Sequence, residues 1–187
     1  MRGAGVAATI AAGLAAVVIA GCGGSGGGGE ASSAGDIPDN QAFVIQMPAG
    51  SGITLKVPEG WAGTTTGGTT AFTDKLNRIE ITPMAAPSAP TPQSVLAQDV
   101  PELQGRVPKF EIGATSTVNR PAGAAVLLTY KGDTAPDPVT GKVVRDEFER
   151  YAFFHDGRET VVTLSGPVGA DNVDPWRIVT DSLAWTP

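Results

Sequence analysis

A single cysteine, Cys22, and a single histidine, His155, limit the chemistry this 187-residue chain can do. Zinc and copper sites draw on several thiolates and imidazoles, and one of each makes no such set. A hydrolytic triad needs a base beside an activated serine. His155 adjoins Asp156-Gly157, a two-residue hairpin signal, and is expected as a solvated turn residue. Neither Ser51 nor Ser165 stands in a Gly-x-Ser-x-Gly frame, and no serine is followed three residues later by lysine. Thr140-Gly141-Lys142-Val143 hints at a phosphate loop, but Pro136 and Val143 occupy positions where the motif needs Gly and Ser or Thr. Asp133, Asp137, Asp146 and Glu147 offer oxygens to Ca²⁺, yet Pro138 stands where the loop of an EF-hand turns on glycine. A hydrolase would have to gather carboxylates such as Asp74, Glu80, Asp133 and Glu147, and nothing in the sequence brings them together. No catalytic, cofactor-binding or metal-binding residue is expected.

Cys22 has a clearer setting. Arg2 gives a short basic start, and residues 4–21 then run uncharged through Ala, Val, Ile, Leu and Gly. That is the layout of an export signal. A membrane-spanning helix needs about 20 strongly apolar residues, and this run is short and rich in Ala and Gly. Ile19-Ala20-Gly21-Cys22 resembles the bacterial lipobox, a branched apolar residue and two small ones before cysteine. The resemblance implies cleavage before Cys22, a diacylglyceryl thioether on its sulfur and an acyl chain on its amine. Two or more chains give lasting attachment where one is marginal. The alternative is a plain secretory signal with an incidental cysteine. Residues 23–35 are Gly/Ser-rich with Glu30 the only charge, a flexible leash. The expected organisation is a signal over 1–21, a lipidated cysteine and tether over 22–41, and one folded domain over 42–187.

The formal net charge is −6, and Arg2 is the only charge before Cys22, so the part after the cut is slightly more acidic. Nucleic acid demands a basic face, and anionic lipid a polybasic patch; neither is expected as a partner surface. With Cys22 committed to lipid, no thiol remains for a disulfide, and the domain must rely on its core. At its expected length it buries about 70% of its unfolded surface, enough without staples.

Several elements can supply that core. Ala42-Phe43-Val44-Ile45 is a short apolar run, and Ile53-Thr54-Leu55-Lys56-Val57 alternates with Ile53, Leu55 and Val57 on one side. The stretch from Thr64 to Thr70 reads as a loop or irregular edge, and Ala71-Phe72-Thr73 as a brief strand. Arg78 to Thr82 alternates again. Prolines 83, 87, 90 and 92 exclude a regular element between them. Thr91 then caps a helix opened by Pro92, which carries Val95, Leu96, Val100 and Leu103, is bent or split by Pro101 and stops at Gly105. Strands follow over 110–118, 124–131, 143–154 and 158–164. On the third of these, Arg145, Glu147, Glu149 and Arg150 alternate with aromatics and predict cross-strand ion pairs. Asp174 as N-cap and Pro175 at the first helical position open a last helix bearing Trp176, Val179 and Leu183. The class is α+β, a mostly antiparallel sheet flanked by helices. Trp176 is assigned to the core, whereas Trp61 is a candidate ligand or partner surface.

Val57-Pro58-Glu59-Gly60-Trp61, Tyr151-Ala152-Phe153-Phe154 and the closing stretch from Trp176 to Trp185 together resemble the Mog1/PsbP-like fold. In particular they resemble the LpqN/LpqT group of actinobacterial lipoproteins. The resemblance implies an α/β/α sandwich and a binding or accessory role. Its motifs are structural and carry over no functional residue. The function expected first is therefore a non-enzymatic accessory module on the outer face of the cell membrane, docking to a transporter or lipid-handling complex. The alternatives are a carrier of a small or lipidic ligand between sheet and helix, and, ranked last, an envelope hydrolase.

Overall fold

A computed structural model describes residues 34–187. The expected signal, Cys22 and the tether up to residue 33 lie outside the described residues.

Ten strands and two helices follow in the order β1 (Phe43–Gln46), β2 (Ile53–Pro58), β3 (Ala62–Thr66), β4 (Thr69–Asp74), β5 (Asn77–Ala85), α1 (Pro92–Arg106), β6 (Glu111–Arg120), β7 (Gly123–Asp133), β8 (Arg145–His155), β9 (Arg158–Pro167), α2 (Val173–Asp181) and β10 (Ala184–Trp185). Seven strands pair antiparallel in the order β3-β4-β5-β9-β8-β7-β6, and β1-β2-β10 make a smaller sheet. The fold is the expected α+β arrangement. One flank differs in make-up, because α2 shares its layer with the small sheet.

Alternation along the strands sends alternate residues to opposite faces. Ile79, Ile81, Tyr151, Phe153, Val162 and Leu164 face one side and pack against Ile53, Leu55 and Val57 of β2 and Trp176 and Val179 of α2. Val126, Leu128, Tyr130, Ala152 and Val161 face the other and pack against Val95, Val100 and Leu103 of α1.

The sequence signals for α1 are realised atom by atom. Thr91 Oγ1 accepts from the Ser94 N–H, and Ser94 Oγ accepts from the Thr91 N–H, a reciprocal cap. Pro101 does not split the helix: it sits inside one 15-residue element. Burial of Val100 and Leu103 outweighs a proline cost of about 3 kcal/mol.

Four expectations are corrected. Residues 64–70 are not a loop. They belong to the β3–β4 hairpin, turned by Gly67 and Gly68 at φ 58° and 84°. Every β3 residue is exposed, so no apolar alternation marks it. Strand β5 continues through Pro83 to Ala85. Past Ile81 it has lost its β4 neighbour, and proline is tolerated on a strand with one free edge. The folded part begins before residue 42: Ile37 is buried, and its N–H donates to Asn172 Oδ1 at 2.8 Å. Finally, α2 starts one residue before Asp174, with Asn172 at its cap position. The Asn172 side chain makes no capping bond because it holds the N-terminal segment instead.

Candidate functional site

The face that carries α2 is not fully covered. Beyond the helix's first turn a cleft of about 230 Å³ remains between α2 and strands β6, β7 and β8. Its floor comes from alternation and register. Glu111, Lys131 and Glu147 lie side by side on β6, β7 and β8. Thr129 and Glu149 form the next row inward. Trp176, Val173 and Ala170 supply an apolar wall.

A bulge between Ile112 and Thr115 shapes the outer rim. There Thr129 Oγ1 accepts from the Ala114 N–H at 2.8 Å, and a side chain at Gly113 would run into Thr129. Bulges of this kind redirect an edge strand next to functional surfaces.

Behind the floor a polar relay ties α2 to the sheet. Arg120 Nε donates to Thr180 Oγ1 at 3.1 Å and lies 3.4 Å from the Asp181 carboxylate. Its Nη2 donates to the Tyr151 hydroxyl at 3.1 Å, which in turn donates to Glu149 at 2.8 Å. Burial, then the Glu149 carboxylate, pushes the Tyr151 phenol up to about 12, so it stays a donor at neutral pH. Glu149 is thereby fixed in place. Glu147, one row out, makes no hydrogen bond or ion pair with another described residue. The cleft thus offers two engaged carboxylates, Glu149 and the Arg145-paired Glu111, one unengaged carboxylate, a lysine and an apolar wall. That equipment suits binding a small amphipathic molecule.

No family model matches this chain, and no curated protein matches its sequence. Solved structures do. The cyanobacterial PsbP protein of Synechocystis has a TM-score of 0.53 at 15% identity, over 84% of this chain and 99% of that one. The Ran-binding protein Mog1p of Saccharomyces cerevisiae also scores 0.53, at 10% identity, over 78% of this chain and 96% of its own. The fold is Mog1/PsbP-like. LpqN of Mycobacterium tuberculosis, described as involved in cell envelope biogenesis, reaches 0.44 at 14% identity over 80% and 93% of the two chains, too low a score to carry an argument. At such identities the likeness shows the Mog1/PsbP-like fold alone.

Within this Mog1/PsbP-like fold, most residues singled out from sequence stand apart. Trp61 does not line the cleft; it is half-buried, edge-on to Trp176 with centroids 6.4 Å apart. Trp176 is buried, as assigned, and one edge reaches the cleft. His155 is exposed beside its turn and stacks on Trp185 at 5.2 Å. Ser51 Oγ donates to the Pro48 carbonyl. Asp74 pairs with Lys75, Glu80 with Arg78 and Asp133 with Lys109. The Lys109 ammonium holds the Asp133 carboxyl below its usual range. Asp137 Oδ1 accepts three bonds inside its own loop. Among the described residues no three acidic, His or Cys side chains gather as a metal site. The expected cross-strand ion pairs hold for Arg145, which reaches Glu111 at 2.9 Å, but Arg150 reaches Asp99 of α1 instead.

Sequence reasoning missed the Arg120–Tyr151–Glu149 relay. Glu149 and Tyr151 share a strand face at spacing two, a readable signal, but Arg120 lies 31 residues away from Tyr151.

Proposed function

We propose that this chain is an actinobacterial lipoprotein, anchored through Cys22 to the outer face of the cell membrane, and that its domain is a non-enzymatic accessory module of the envelope. The observation that carries this reading is Ile19-Ala20-Gly21-Cys22 at the end of an uncharged apolar run, with a Gly/Ser-rich leash behind it. Asp74, Glu80 and Asp133, three of the four carboxylates a hydrolase would have to gather, each pair with a different cation, which supports a binding role over a catalytic one. Its acidic charge favours a protein partner, such as a transporter or lipid-handling complex, over nucleic acid. Cys22→Ala tests the anchor. The variant is expected to leave the membrane fraction or to accumulate unprocessed at higher mass. Unchanged partition with wild-type mass would sink the reading. Crosslinking in growing cells, followed by membrane pull-down, tests for the protein partner.

A second reading is favoured by the α2 cleft, a carrier that holds a small or lipidic ligand between sheet and helix. Native mass spectrometry of the purified full chain is expected to show an added mass that Glu147→Gln weakens. A bare protein after mild extraction counts against it.

A further inference from the structure

The opposite face of the large sheet holds a second cavity, of about 380 Å³, between the β4–β5 turn and the segment 134–144. Small-ligand pockets run from about 300 to 1,000 Å³. Three neighbouring strands aim polar groups into it. Arg78 of β5 stands opposite Ser165 of β9, and Asp146 of β8 lies diagonally beside Ser165 on the same face.

Two of these residues are buried, and one has an oxygen sealed without a partner. Asp146 is only 4% exposed, and its Oδ1 is sealed from solvent with no hydrogen bond. Ser165 is also 4% exposed, and its hydroxyl bonds to no described residue. Nearly all buried polar atoms in folded proteins are satisfied, so the orphan Asp146 oxygen on a cavity floor, beside an unengaged serine hydroxyl, calls for a ligand or water.

The walls are built and held. Asp137 Oδ1 takes the Val139 and Thr140 N–H groups and the Thr140 hydroxyl, closing the segment on itself. Thr134 N donates to the Val144 carbonyl, and Val144 N donates to Thr134 Oγ1. Thr134 can still donate its own hydroxyl proton.

The lining selects among ligands. An orphan carboxylate needs a donor. Lys75, Arg78 and Lys142 ring the cavity; Asp74 pairs with Lys75 and Glu80 with Arg78, while Lys142 pairs with no carboxylate of the described residues. Asp146 accepts, whereas the Ser165 and Thr134 hydroxyls and Lys142 can donate, and ligand hydroxyls, which do both, answer all of them. Lys142 can also take an acidic substituent.

We propose that this cavity binds a saccharide, an acidic one more tightly than a neutral one, with Asp146 and Ser165 engaging ring hydroxyls and Lys142 the acid group. The site lies across the sheet from the α2 cleft and does not depend on it.

The full chain is titrated by calorimetry with glucuronic acid, glucose and inorganic phosphate. Glucuronic acid is expected to bind, glucose to bind more weakly, and phosphate not to compete. Asp146→Ala is expected to weaken binding of both sugars at least tenfold. Because it removes an unpaired buried carboxylate, it should at the same time raise the melting temperature. Ser165→Ala is a second variant, with an expected loss of about threefold. Lys142→Ala should lower affinity for glucuronic acid alone. Sugar affinity unchanged in Asp146→Ala, no binding of either sugar, phosphate competing as well as glucuronic acid, or only ordered water on Asp146 in sugar-soaked crystals would each overturn the proposal.

Discussion

On one face of the large sheet, α2 and β2 lay Trp176, Val179 and Val57 over Ile79, Phe153 and Leu164, and the buried polar side chains there are used as ties. Asn172 binds the Ile37 N–H, the Gly35 carbonyl and Asn77; Arg120 binds Thr180 and Tyr151; Ser182 Oγ accepts the Lys56 N–H at 2.7 Å. On the other face α1 buries Val95, Val100 and Leu103 over β7 to β9, and Arg150–Asp99 fastens it. Next to it, Asp146 is buried with its Oδ1 sealed and nothing to bond. The same sheet therefore ties its buried polar groups on one side and leaves a sealed carboxylate oxygen wanting on the other. Unsatisfied groups cost stability, and a fold keeps them where they serve something else.

The largest test of this contrast is Trp176→Ala. The side chain is buried under Trp61 and over the shared core, and its loss is expected to cost about 3–5 kcal/mol in urea unfolding. Val95→Ala on α1 removes far less buried surface and should cost about 1–2 kcal/mol. Equal losses at the two positions would break the distinction between a tightly closed and a lightly closed face.

Asn172→Ala comes next. It strands the Ile37 N–H and Asn77 Oδ1 in a buried setting, a penalty of about 2–3 kcal/mol. The local readout is more telling. The Ile37 amide should lose its protection from hydrogen exchange, while amides of β7 and β8 follow only the global change. If Ile37 stays protected, the N-terminal segment is held by packing and not by the asparagine.

How much of this could be read from sequence follows the same division. Ile53, Leu55 and Val57, or Ile79 and Ile81, announce strands because one face of each is buried against a core. The cap of α1 is local, four residues speaking to one another, and Thr91 and Pro92 announced it, though the answering Ser94 hydroxyl was not read. Strand β3 is exposed on both sides and has no periodicity to read. Ile37 is a lone apolar residue behind a Gly/Ser run, and what buries it is Asn172, 135 positions away. Asp174-Pro175 gave a proper helix-start signal, only displaced, because the cap residue had been recruited for a distant task. For the sites, the α2 cleft was foreseeable as a sheet–helix gap, but its fixed Glu149 was not. The vacancy around Asp146 was least visible of all. A carboxylate in an alternating charged strand reads as solvated, and only the tertiary structure seals one of its oxygens and leaves it without partners.

That deprivation has a pH signature, the smallest of the expected effects and the most specific. Burial pushes the Asp146 carboxyl up from an ordinary 3.8 to about 6. The folded protein thus holds this proton more tightly than the unfolded chain. Its contribution is most favourable below pH 4, is lost as pH rises between about 4 and 6, and stays unfavourable above that. Solvent reaching the cavity screens the charge, and the cost at pH 8 is put at about 1–2 kcal/mol. Glu159, also raised by burial, pulls the same way, whereas Asp133, held down by Lys109, and Asp137, held down by the Thr140 and Val139 hydrogen bonds, pull the other. The difference between wild type and Asp146→Asn cancels those three. The two proteins should melt together at pH 4, and the variant should melt about 3–6 °C higher at pH 8. Parallel melting curves across that range would mean that Asp146 is solvated in the folded protein, and the contrast between the two faces would disappear at its sharpest point.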